Sequence, residues 1–86
     1  MVKLNENSAY KRGQELLDAG QYEEAIERFA EVIEENPRAW KAMNSQGFAY
    51  QKMSKYTDAV DCFDKALAVN PKSVEVLNNK GVTLSM

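Results

Sequence analysis

The sequence predicts an all-α chain: two copies of a helix-turn-helix unit and a further helix, about five antiparallel helices stacked as a solenoid. Three observations carry that prediction. Residues 34 positions apart match along the chain, from Gly13, Gly47 and Gly81 to Pro37 and Pro71. Between these anchors, apolar residues follow the three-and-four spacing of an amphipathic helix. Where that spacing stops, the chain places Gly20 or an Asn-Pro pair, at Asn36 and again at Asn70.

Each element follows in order. The first helix runs from about Glu6 to Gly20, with Gly13 in its middle. A mid-helix glycine costs about 1 kcal/mol relative to alanine. Its return at one phase implies that a neighbouring backbone passes too close for a Cβ, with Ala25 and Ala59 as the expected small surface. The second helix is "YEEAIERFAEVIEEN", with Tyr22, Ala25, Ile26, Phe29, Val32 and Ile33 on one face. Asn36 is expected to end it in the left-handed conformation, and Pro37 prevents its continuation. The third helix carries Gly47 and ends near Ser54, the counterpart of Gly20. The fourth, Tyr56 to Val69, repeats the second with Ala59, Val60, Phe63, Ala66 and Leu67, and closes at Asn70 and Pro71. The fifth, from about Ser73 to Met86, carries Gly81. The units are read as repeat 1 at about 6–39, repeat 2 at about 40–73 and a partial repeat 3 at about 74–86.

Composition narrows the function. At 86 residues the chain suffices for one small domain, burying roughly 60–65% of its unfolded surface. A net charge of −2 gives no basic excess for nucleic acid. The chain has no histidine, which removes Cys–His and Ser–His chemistry and most zinc sites. Cys62, the only cysteine, reads as a buried structural thiol in a reducing compartment. The start "MVKLNENSAYKRG" holds no apolar run of signal-peptide length. No stretch reaches the roughly 18–20 apolar residues of a membrane helix, so a cytoplasmic protein is expected. With no glycine-rich phosphate loop and no enclosed acid–base pair, no enzyme and no cofactor are expected.

The repeat unit resembles the tetratricopeptide repeat. That family's signature is a small residue or glycine in helix A, an aromatic opening helix B, Ala-x3-Phe within it, and a closing proline. The matches are Gly13, Tyr22, Ala25, Phe29 and Pro37, then Gly47, Tyr56, Ala59, Phe63 and Pro71, with Gly81 in the last helix. The chain departs at Ala9 and Met43, where the family often has Trp, and at Arg12, Gln46 and Lys80, where it often has Leu. The resemblance implies a right-handed αα superhelix whose A helices line a concave groove holding a peptide from a partner.

Carried onto this chain, the groove positions in the first helix are Asn7, Tyr10, Lys11, Gln14, Leu17 and Asp18. The third helix contributes Lys41, Asn44, Ser45, Phe48, Gln51 and Lys52. The fifth contributes Glu75, Asn78, Asn79, Val82, Ser85 and Met86. Amides offer both a donor and an acceptor, so Gln14, Asn44, Asn78 and Asn79 suit the backbone of an extended peptide. Tyr10 and Phe48 suit one apolar side chain of that peptide, although Phe48 is also suited to packing between adjacent A helices. Some family members grip the acidic tails of heat-shock chaperones with a clamp of Lys, Asn, Asn, Lys and Arg. Here those positions hold Tyr10, Gln14, Ser45, Glu75 and Asn79. The cations are gone and Glu75 repels a carboxylate, which argues against chaperone-tail binding by that clamp.

The reading is therefore an interaction scaffold that binds a protein or peptide and belongs to a longer array. The alternative is self-assembly through the last helix, whose Leu84 and Met86 are expected to face a following helix or another copy. RNA reading, as in pentatricopeptide arrays, fits poorly with period 34 and negative charge. On the outer face, Glu24–Arg28 and Asp61–Lys65 are spaced for i,i+4 pairs. Asp58, Asp61 and Asp64 read as a solvated face, lacking the bent loop of a calcium site.

Overall fold

A computed structural model describes residues 5–86, with side chains from Ser8 onward. Five helices follow one another: α1 Asn5–Asp18, α2 Tyr22–Glu35, α3 Trp40–Lys52, α4 Tyr56–Val69 and α5 Val74–Leu84. Each packs on the next in the chain, and α3 also touches α1 and α5. The result is a slab of 45 × 27 × 16 Å, with α1, α3 and α5 side by side.

The helix ends follow from local chemistry. Gly20 and Ser54 both adopt left-handed backbone, with φ of 80° and 62°. The turns around them share a hydrogen-bond pattern. The Gln21 N–H donates to the Leu16 carbonyl at 2.8 Å, and the Lys55 N–H donates to the Tyr50 carbonyl at 2.9 Å. This reversal satisfies carbonyls that a helix end leaves open. Asn36 and Asn70 depart from expectation. They are extended, with φ of −138° and −132°. The following proline ring crowds the residue before it and favours the extended region. Asn36 Oδ1 then accepts from the Arg38 N–H at 3.1 Å, completing the turn into α3. Ser73 caps α5 by accepting from the Val76 N–H at 3.3 Å.

The core is two linked clusters. Leu16, Ala25, Phe29, Val32 and Ala42 form the first; Met43, Ala59, Phe63, Ala66 and Val76 form the second; Ile33 packs against both. Phe29 and Phe63 have no exposed surface, and full burial of each ring contributes about 1.5–3 kcal/mol. These rings also explain the glycines. A Cβ on Gly13 would lie 2.7 Å from Phe29 Cε1, and one on Gly47 would lie 2.5 Å from Phe63 Cε1. The close neighbour is therefore an aromatic ring. It is neither the backbone nor the Ala25 and Ala59 surface that the pattern suggested.

The outer face differs in one detail. Arg28 reaches Glu31 at 3.0 Å and Glu27 at 3.8 Å, not Glu24. Glu31, Glu34 and Glu35 line one cleft with Arg28 and Arg12, and Glu24 and Glu27 line another with the same two arginines.

Candidate functional site

Where α1, α3 and α5 meet, a recess of about 260 Å³ opens between them. It is lined by Gln14 and Leu17 from α1, by Asn44, Ser45 and Phe48 from α3, and by Glu75 and Asn79 from α5. Each residue arrives there through the repeat: the three helices share one phase, so equivalent positions fall on one face.

The polar part is built around a pair of amides. Asn44 is buried, at 5% exposure, yet it keeps a partner: Asn79 Nδ2 donates to its Oδ1 at 3.0 Å. Such a bond offsets the cost of placing an amide against a core. No buried side-chain nitrogen or oxygen among the described residues lacks a partner. A second link joins the same helices. Gln51 Nε2 donates to Thr83 Oγ1 at 2.7 Å, and that hydroxyl donates to the Asn79 carbonyl at 2.8 Å. Gln51 is thus turned toward α5. Thr83 is 3% exposed, and its only signal in the sequence is a small residue at the phase of buried Ala49.

The apolar part is Phe48 and Leu17, both half-buried. Lys52 Nζ stands over the Phe48 ring, 5.2 Å from its centre. Phe48 belongs to neither core cluster. Among the described residues, Glu75, in the first turn of α5, is the only ionisable side chain lining the recess. The positive end of the helix dipole favours a carboxylate there.

Other expected groove residues do not line this recess. Tyr10 packs edge-on against Phe29 with centroids 5.6 Å apart, and its hydroxyl accepts from Gln14 Nε2 at 3.0 Å. Lys41 lies over Trp40 at 5.8 Å. Lys52, Asn78 and Val82 are exposed and do not line the recess, and the Asn7 side chain lies outside the described residues.

Away from the recess, Cys62 is buried, with Sγ 4.0 Å from Gln46 Oε1. Burial pushes its thiol up to about 11; Lys65 pulls against this, and Asp58 and Asp61 add to it. Burial also raises the Tyr50 hydroxyl, with smaller pushes from Cys62 and Asp58. Gln46 Nε2 donates to the Ile26 carbonyl at 3.1 Å, so this side chain bridges α2, α3 and α4. Among the described residues, no group of three or more Cys, Asp or Glu side chains is placed to hold a metal ion. No described helix is long and apolar enough to cross a membrane.

No curated protein matches the chain. Among solved structures, it superposes on the TPR2B domain of yeast Sti1 in its pHsp70 complex with a TM-score of 0.91 at 18% identity. That match covers 96% of this chain and 66% of the other. The TPR2AB domain of yeast Sti1 in its pHSP90 complex gives the same score and identity, covering 99% of this chain and 33% of the other. At that identity the likeness speaks for the fold alone. Two family models described as tetratricopeptide repeat match residues 10–50 and 40–73. With its five stacked helices and with rings packed against Gly13 and Gly47, the chain belongs to the tetratricopeptide repeat family.

Proposed function

We propose that the chain is a protein-interaction module that binds an extended peptide segment in the recess between α1, α3 and α5. The observation that carries this reading is the lining itself: amides, an apolar floor and one carboxylate converge from three helices. The amides of Gln14, Asn44 and Asn79 serve the peptide backbone, which presents alternating donors and acceptors whatever its sequence. Phe48 and Leu17 take one apolar side chain. Glu75 sets the charge preference, favouring a ligand with a cation beside that apolar residue and disfavouring a terminal carboxylate. An acidic-tail clamp fits this lining poorly, since Glu75 stands in the recess and would repel a ligand carboxylate.

The test is selection of random displayed peptides on the full chain, followed by binding measurements on Phe48→Glu and Glu75→Lys variants checked for helical content. The selected peptides should carry an apolar residue next to Lys or Arg. Phe48→Glu should weaken them at least about tenfold, as loss of a binding anchor does. Glu75→Lys should shift selection toward acidic peptides. Peptides that bind both variants as well as the parent would refute the assignment.

A further inference from the structure

The hydrogen bonds within the recess decide its polarity. Gln14 turns its nitrogen to the Tyr10 hydroxyl, 3.0 Å away. Asn79 turns its nitrogen to Asn44 Oδ1, also at 3.0 Å. An amide held by its nitrogen leaves its oxygen, with two lone pairs, as the free end. Glu75 adds a carboxylate to the same lining, and among the described residues it has no ion-pair partner. Acceptors are therefore offered from both flanks: Gln14 Oε1 on α1, and Asn79 Oδ1 and the Glu75 carboxylate on α5. On the middle helix, Phe48 supplies a ring. Lys52 Nζ stands 5.2 Å from the centre of that ring, which displays it as a seat for a cation.

We infer that the recess, if it binds peptide as proposed above, selects arginine: the guanidinium lies on Phe48, pairs with Glu75 and donates to Gln14 Oε1 and Asn79 Oδ1. Leu17 remains for the apolar residue beside it. A guanidinium carries five donors and no acceptor, which matches a lining whose free ends are oxygens. Its flat face stacks on an aromatic ring, and it is more weakly hydrated than an ammonium. Lysine brings a strongly hydrated point charge, whose water a recess of about 260 Å³ has to strip. Lys52 is exposed, so its charge is screened and its flexible stem lets it leave the ring.

The probe is the capped tripeptide acetyl-Leu-Arg-Ala-amide, titrated into the isotope-labelled full chain and followed by NMR. Its lysine and citrulline versions are titrated in parallel; citrulline keeps the shape of arginine without the charge. Saturable shifts are expected at the side-chain amides of Gln14 and Asn79 and at Phe48. Citrulline should bind at least about tenfold more weakly, because the charge-assisted bonds are lost. Lysine should bind more weakly than arginine. In Glu75→Gln, checked for parent helical content by circular dichroism, the preference for arginine over citrulline should disappear. Equal binding of all three peptides at the recess would overturn the arginine assignment and leave the peptide-binding reading standing. An arginine preference that survives Glu75→Gln would overturn it too, as would shifts confined to the acidic outer face of α2. So would the absence of saturable shifts, whereas the peptide-binding reading itself stands or falls with the displayed-peptide selection.

Discussion

Alanine in place of glycine should act in opposite directions at two positions of the same phase. In Gly47→Ala the new methyl would sit 2.5, 2.7 and 2.9 Å from three atoms of the Phe63 ring. That ring has no exposed surface and is packed among Met43, Ala59, Ala66 and Val76, so it has little room to retreat. Overpacking of this kind costs about 1–3 kcal/mol, and such a short approach belongs in the upper half of that range. Alanine returns about 1 kcal/mol through its helix propensity. The net expectation is a loss of about 1–2 kcal/mol for Gly47→Ala. Gly81→Ala meets nothing and keeps the propensity gain, a stabilisation of up to about 1 kcal/mol. In a domain of this size each kcal/mol moves the melting temperature by roughly 4–8 °C. Thermal and urea unfolding followed by far-ultraviolet circular dichroism would measure both variants. Equal stabilities for Gly47→Ala and Gly81→Ala would refute the ring-contact account of the repeated glycine.

Two further expectations concern a turn and a thiol. Ser54 holds the left-handed backbone that glycine holds at Gly20. Ser54→Gly should therefore stabilise the chain by about 0.5–1 kcal/mol, read as a higher urea midpoint, because only glycine adopts that region without strain. Cys62 should resist thiol reagents at neutral pH, since its thiol is buried and pushed up to about 11. Its raised value also sets the sign of a pH effect. The unfolded thiol ionises near the ordinary value of 9.0 while the folded one keeps its proton. Stability is thus full below about 9 and falls as pH rises toward about 11. A Cys62→Ala chain should lose less stability over that window in parallel urea titrations.

The repeat made the helix order legible, because each anchor recurs at a fixed offset and each apolar face has a helical period. It left unreadable which atom crowds Gly13 and Gly47. Ala25 and Phe29 recur with the same offset, so periodicity alone cannot choose between them; the ring wins because it reaches across the helix pair. The backbone at Asn36 and Asn70 was not legible for a related reason. Asparagine suits a left-handed cap, but the proline behind it decides the backbone. At the recess, shared phase brings Gln14, Asn44, Ser45, Phe48 and Asn79 to one place. Side-chain reach was not legible: Tyr10 turns to Phe29, and Gln51 turns to Thr83.

The central claim, that the face formed by α1, α3 and α5 binds peptide, is tested most directly by NMR amide-shift mapping with a selected peptide. The account predicts the largest shifts at Gln14, Asn44, Phe48 and Asn79, with α2 and α4 little changed. Shifts concentrated on the acidic outer face of α2 and α4 would contradict it.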